Sequence, residues 1–151
     1  MLQNDNELQI LPFTTGNYAI VISRSHPAIN GIPEPTIQDL CSYPVNLYIP
    51  ACENPTRLIE RTKYIWSQVG FYPEEIILVP NVDSTLWAAS MNIGVAALDD
   101  TILLPQDLSL IFLKSDVPMH LVIARRKDNE KECLNELIET IIQNTTLNFT
   151  T

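Results

Sequence analysis

Ser25-His26-Pro27-Ala28, Gln38-Asp39-Leu40, Gly70-Phe71-Tyr72-Pro73, Asp83-Ser84-Thr85 and Asn92-Ile93-Gly94-Val95-Ala96-Ala97-Leu98 follow one another in this order, and their spacing decides the fold. The apolar run Tyr18–Ile22 ahead of them reads as a strand, with a weaker strand over Leu8–Phe13. The Pro- and Gly-rich segment from Pro27 to Pro35 interrupts regular structure. Thr36 and Asp39 then form a capping-box pattern that predicts a short helix over Ile37 to Cys41. Val45–Ile49 is the next strand. Asn54 caps a longer helix whose first residue, Pro55, has no N–H to lose. Leu58, Thr62, Ile65, Trp66 and Val69 lie at helical spacing and predict one buried stripe. Gly70 supplies a left-handed residue after that helix, Phe71 an apolar contact back onto it, and Pro73 blocks its resumption.

Farther along, Ile76–Val79 is continuously apolar, as buried parallel strands are. Asp83 or Ser84 caps a helix reaching about Met91, with Asn92 as its left-handed terminator, and Val95–Leu98 is the following strand. Leu108–Leu113 and Leu121–Ala124 are two more. A last helix begins near Asp128–Asn129, with Asn129 and Glu132 as a capping box and Cys133, Leu134, Leu137, Ile138, Ile141 and Ile142 as its stripe. The Thr/Asn-rich end, which includes Asn144-Thr145-Thr146 and Asn148-Phe149-Thr150, reads as a frayed polar tail. Strands alternating with helices predict an α/β fold with a largely parallel sheet.

Composition excludes several function classes. The chain has 151 residues, of which 46% are hydrophobic and 18% charged, enough for a real core and too apolar for disorder. Net charge is −9, and the 9 Lys and Arg form no long basic run, Arg125-Arg126-Lys127 being the densest. Affinity for nucleic acid comes largely from such residues meeting phosphates, so no direct nucleic-acid contact is expected. Nor is binding to an anionic membrane. No apolar run is long enough to span a bilayer, and the acidic start Met1-Leu2-Gln3-Asn4-Asp5-Asn6-Glu7 has no signal-peptide pattern, so the expected location is the cytoplasm. Cys41, Cys52 and Cys133 lie far apart, without metal-site or redox spacing, and read as reduced thiols, Cys41 and Cys133 in the core. Neither His26 nor His120 has a sequence neighbour that suggests a catalytic dyad. No nucleotide, hydrolase or zinc-protease fingerprint occurs, so no enzyme activity, cofactor or metal is expected.

The ordered motifs resemble the C-terminal effector-binding domain of LysR-type transcriptional regulators. His26-Pro27-Ala28 matches that family's His-Pro-Leu-Ala-like turn, Gln38-Asp39-Leu40 its short Asp-Leu helix, and Gly70-Phe71-Tyr72-Pro73 the Gly-Phe-x-Pro-like turn after its long helix. Ala88-Ala89-Ser90-Met91-Asn92-Ile93-Gly94-Val95 matches its Val-Ala-x-Gly-x-Gly-Ile/Val segment, with Asn92 in place of the first glycine and Asp99-Asp100 in place of a following proline. The resemblance covers about Leu8 to Ile142. It implies a two-lobed α/β fold of the type 2 periplasmic-binding-protein-like class, with one lobe complete and the other partial. In those terms residues 1–17 are a crossing strand and partial lobe one, 18–94 are lobe two, 95–144 are the hinge return and the end of lobe one, and 145–151 are the tail. The winged helix-turn-helix and the first part of lobe one are expected to be absent.

The same resemblance implies a small-molecule sensor whose lobes close on an effector and whose dimer passes the change to DNA contacts held elsewhere. Ligands of open α/β sheets sit beyond the carboxyl ends of strands, beside helix N-termini. Two turns have that placement, Ala51–Thr56 and Asn81–Thr85. Cys52, Glu53, Asn54, Thr56, Ser84 and Thr85 are therefore the candidate ligand-binding residues for a small organic acid. The plainer account is that Asn54, Thr56, Ser84 and Thr85 only cap helices, and the charges of Glu53 and Asp83 oppose an anion. Gly94, Val95 and Ala96 are expected at the hinge. Leu58, Arg61, Ile65 and Ile77 are expected at a homo-oligomer interface, with Tyr64 and Trp66 as anchors unless Trp66 is core and Tyr64 surface. Two alternatives remain: an interaction module that pairs through exposed strand edges without a ligand, and a stand-alone thiol enzyme using Cys52 at a helix N-terminus.

Overall fold

The computed structural model describes residues 7–129 and 131–148. The chain divides into two compact units, one spanning Gly16–Pro118 and a smaller one combining the residues up to Thr15 with those from Met119 onward. Elements run in the order β1 (Leu8–Ser23), β2 (Val45–Tyr48), α1 (Pro55–Ser67), β3 (Ile76–Val79), α2 (Val82–Ser90), β4 (Val95–Asp99), β5 (Leu110–Arg126) and α3 (Glu132–Asn148), with short 3-10 turns at Pro27–Ile29, Ile37–Leu40 and Gln106–Leu108.

Within Gly16–Pro118 the strand order is β3-β2-β4-β1-β5. β2 runs parallel to β3 and β4, with Val45 opposite both Ile76 and Val95, whereas β1 runs antiparallel to β4, with Tyr18 opposite Asp99. The sheet is covered on both faces. Ile20, Ile22, Val45, Leu47, Val95 and Ala97 pack with Leu58 and Trp66 of α1 and with Phe71. Val21, Ala96, Leu98 and Leu110 pack with Leu86 and Ala89 of α2. That is why Val95–Leu98 is apolar at every position instead of alternating. β3, equally apolar in sequence, lies at the sheet edge and is only half-buried throughout.

Local chemistry fixes the ends of α1. The Asn54 side chain accepts from the Arg57 N–H at 3.1 Å, and Pro55 opens the helix. At its far end Gly70 takes φ +72°, and the Phe71 N–H reaches back to the Trp66 carbonyl at 3.0 Å. Phe71 is fully buried edge-on to Trp66, with ring centroids 5.8 Å apart. Leu58, Thr62 and Trp66 are buried as the stripe predicts, while Ile65 and Val69 are half-buried.

Several elements differ from the sequence reading. Leu8–Phe13 and Tyr18–Ile22 are one strand, since Gly16 stays extended in spite of its turn-like neighbours. Leu108–Leu113 and Leu121–Ala124 also merge into one, β5, with Pro118 inside it. β5 is an edge strand, where a missing N–H costs no ladder bond. The sheet is mixed, not purely parallel. α3 begins at Glu132, not at Asp128–Asn129, and it runs on to Asn148, past the expected fraying point. Residues 149–151 of the expected tail lie outside the described residues. Of the α3 stripe only Ile138 is buried, whereas Leu137, Ile141 and Cys133 are exposed. Cys41 is half-buried.

In the smaller unit the ends of β1 and β5 are joined by the Lys127 N–H to the Glu7 carbonyl at 2.8 Å. Arg125 donates to Gln9 at 2.6 Å and to Asn135 of α3. No described helix is long and apolar enough to cross a membrane.

Candidate functional site

β2 and β4 end side by side in the larger unit, at Tyr48 and Asp99, and Tyr18 of β1 lies opposite Asp99. α1 crosses one face of the sheet near this edge. Between α1 and the strand ends is a cavity of about 360 Å³. Tyr18, Tyr48, Arg61, Thr62, Trp66 and Asp99 carry its polar and aromatic character, and Leu47, Leu58, Ile65, Ala97 and Ile102 make most of the rest apolar. Tyr18 meets Trp66 edge-on, with centroids 6.2 Å apart.

The polar groups of the cavity differ in how far they are already engaged. Asp99 accepts from the Thr101 N–H at 3.0 Å and from the Thr101 hydroxyl. Arg61 has only a loose ion pair, 3.9 Å from Glu53, and its side chain is 57% exposed. Thr62 is 6% exposed, and among the described residues its hydroxyl has no hydrogen-bond partner. An apolar cavity with a few convergent polar groups is the usual form of a small-molecule site.

The strand ends beside the cavity are tied together. Asp100 accepts from the Asn17 N–H at 2.8 Å, its own N–H returns to the Asn17 carbonyl at 3.0 Å, and Lys114 lies 3.2 Å from its other oxygen. The Asn17 N–H, with Lys114 adding to it, holds the Asp100 carboxyl below its ordinary range.

None of Cys52, Glu53, Asn54, Thr56, Ser84 and Thr85 lines this cavity. Asn54 caps α1. Glu53 faces Arg61, and Cys52 and Thr56 are exposed. The cap of α2 is Asn81, not Asp83 or Ser84: its side chain accepts from the Ser84 N–H at 2.7 Å. Thr85 is fully buried and spends its hydroxyl on the Val82 carbonyl at 2.6 Å.

The two units divide at Thr15/Gly16 and Pro118/Met119, and Gly94, Val95 and Ala96 lie within the larger one. Gly94 opens β4 and packs on the Pro44 carbonyl, and Val95 and Ala96 are fully buried with a paired strand on either side. Among the expected interface residues, Leu58 and Trp66 are buried in the core and Ile65 and Ile77 are half-buried, while Tyr64 is exposed. His26 is fully buried. Its Nδ1 accepts from the Ala28 N–H at 3.2 Å, its ring meets Tyr43 edge-on, and its Nε2 has no partner. Among the described residues no cluster of His, Cys, Asp and Glu could hold a metal. Thr62, a hydroxyl-bearing residue in an otherwise apolar stripe, is the one sequence signal that points to the cavity.

The family model for the LysR substrate binding domain matches residues 1–146. The chain belongs to that family. The effector binding domain of BenM with its effector benzoate is 20% identical, with a TM-score of 0.73 over 98% of this chain and 68% of that one. The effector binding domain of QuiR in complex with shikimate is 13% identical, with a TM-score of 0.69 over 97% and 69%. The regulatory domain of the LysR family regulator MetR from N. meningitidis is 17% identical, with a TM-score of 0.70 over 95% and 66%. This LysR substrate binding domain spans 50% of full-length BenM. No curated protein matches it. The expected fold class stands: the chain has the type 2 periplasmic-binding-protein-like α/β fold of LysR effector domains. That family and these structures are regulatory effector-binding domains, not enzymes.

Proposed function

We propose that this LysR substrate binding domain is a non-catalytic sensor of a small organic acid, part of a cytoplasmic transcriptional regulator. The observation that carries the reading is the cavity at the carboxyl ends of β2 and β4, where open α/β sheets place their ligands. Occupancy acts by favouring one arrangement of the lobes over another, and a homo-oligomer passes the change to DNA contacts held elsewhere. A ligand does this only to the extent that it binds the two arrangements unequally. Family membership supports this reading, as do the benzoate and shikimate named for two proteins of like fold. In an oligomer the outer face of α1 around Tyr64 and the edge strand β3 are available for pairing.

Thermal shift and calorimetry against a panel of small organic acids test the reading. A binder at one hundred times its Kd raises stability by about 2.7 kcal/mol. Failure of every acid to shift the melting of the chain overturns it. Sedimentation at several concentrations tests the oligomer, which a strict monomer removes.

A further inference from the structure

We propose that His26 is a proton-operated latch: its neutral ring pins the loop between β1 and β2 onto the larger unit, and a proton taken up at Nδ1 releases that loop. The loop contains Pro27, Gly31, Pro33 and Pro35 and forms no strand. From Arg24 to Thr36 only His26 and Ile29 are buried. Among the described residues, the hydrogen bonds of His26 to Pro35 stay local. The His26 N–H reaches the Ser23 carbonyl at 3.0 Å, the Ile29 N–H the His26 carbonyl at 3.1 Å, and the Ile32 N–H the Ile29 carbonyl at 3.1 Å. No ladder fastens this stretch to the sheet, so two side chains hold it: Ile29, in one buried cluster with Ile37 and Leu40, and the His26 imidazole.

The imidazole is held in a form that cannot accept a proton in place. Its Nδ1 accepts from the Ala28 N–H at 3.2 Å, so the neutral ring carries its hydrogen on Nε2. Nε2 is buried without a partner, and Tyr43 lies edge-on to the ring with centroids 4.5 Å apart. A second proton must go to Nδ1. It turns the acceptor of the Ala28 N–H into a donor, so that bond breaks, and the imidazolium is left with two buried N–H groups and no acceptor for either. Tyr43 is the titratable group set against the ring. Arg24, Glu34 and Asp39, the charged residues of the flanking segments, are exposed, and Asp39 is turned to Thr36. Among the described residues no ion pair involves His26, and burial lowers its pKa. The cation is accommodated when the ring moves into water, and the turn Pro27–Ile29 that it caps goes with it. Release coupled to one proton grows by up to about tenfold per pH unit below 6.5, until the closed form itself titrates. Tyr18 and Ser23 stand toward opposite ends of the paired part of β1, so this response arises at the other sheet edge from the cavity.

The chain has 2 histidines, and the other, His120, is exposed. His120→Gln in the full chain therefore leaves one imidazole to follow by nitrogen-15 NMR from pH 7.5 to 5, with amide hydrogen exchange measured over the same range. The ring should show the Nε2–H tautomer at pH 7.5 and titrate below 6.5. Protection factors of the Ala28, Ile29 and Ile32 amides should fall by up to about tenfold per pH unit below 6.5, while that of Val95, whose N–H bonds the Pro44 carbonyl inside the sheet, should hold. His26→Asn keeps a side-chain acceptor at the cap and removes the titration, so in that variant loop protection should not depend on pH. An Nδ1–H tautomer, or titration at or above 6.5, overturns the latch. So does loop protection that is flat with pH, that falls only in step with Val95, or that falls equally in His26→Asn. The tautomer and the titration are read with His26 in place, so they decide the matter even if His26→Asn does not fold.

Discussion

Gly94→Ala separates a hinge glycine from a packing glycine. Gly94 has φ +74°, and a Cβ built there would lie well inside the 3.0 Å limit of real Cβ contacts from the Pro44 carbonyl oxygen, and 3.1 Å from Asn46 Nδ2. The left-handed conformation alone costs an L-residue about 1–2 kcal/mol. Relief of the clash must move two hydrogen bonds that start the β2–β4 pairing, the Val95 N–H to the Pro44 carbonyl at 2.9 Å and Asn46 Nδ2 to the Ile93 carbonyl at 2.6 Å. Each contributes about 1 kcal/mol, so the expected loss is about 3–4 kcal/mol, a large share of the roughly 5–15 kcal/mol of a typical domain. Gly70→Ala is the internal control. Its φ is +72°, but its Cβ would meet only the end of Gln38, at 3.9 Å, so it should lose only the conformational part, about 1 kcal/mol. Urea unfolding followed by circular dichroism, with unchanged m, reads both. Equal losses in the two variants, within about 0.5 kcal/mol, would refute the packing argument. A hinge role would instead leave stability nearly intact and alter the response to ligand.

Asn81→Ala should cost α2 about 1 kcal/mol in the same urea assay, and Ser84→Ala should stay within about 0.5 kcal/mol, because Asn81 and not Ser84 holds the cap; the reverse order would reassign it. Burial lowers the pKa of His26 below 6.5, so its neutral form is the folded one. The stability it contributes is complete above pH 6.5 and is lost as the pH falls from there through the folded value. Urea midpoints across pH 7.5 to 5 should fall more steeply for the native chain than for His26→Asn, and parallel profiles would exclude this role. Asp100 has the same sign for a different reason: its lowered pKa gives stability that is present above pH 3.8 and lost below it. Asp100→Asn should therefore flatten the acid limb of the unfolding profile, and an unaltered limb would count against the Asn17 and Lys114 contacts.

The sequence exposes best those elements whose ends are set by neighbouring residues. Asn54-Pro55 and Gly70-Phe71 bracket α1 with chemistry that acts over four or five positions, and the structure keeps both brackets. Long strands were harder to read. β5 alternates Leu113, Ser115 and Met119 inward with Lys114, Asp116 and His120 outward. An apolar-run criterion breaks at Lys114, whereas a period-two criterion would have carried on through it. Gly94, just ahead of Val95–Leu98, suggests a flexible joint, whereas the uninterrupted apolar character of the strand signals cover on both faces.

The candidate site shows why local patterns point to ligand residues poorly. Asn54, Ser84 and Thr85 attract attention because their side chains have polar atoms near helix starts, yet two of those positions serve the backbone around them: Asn54 accepts from Arg57 and Thr85 donates to Val82. A polar atom already engaged in a turn is little use to a ligand. Thr62 is the converse. It sits at an apolar position of a helical stripe, where the pattern discounts its hydroxyl, and the fold places this largely buried residue in the wall of the cavity. Only the tertiary neighbourhood distinguishes the two cases, because the cavity wall is assembled from residues far apart in the chain, Thr62 with Tyr18 and Asp99, the last two brought to one edge by the pairing of β1 with β4.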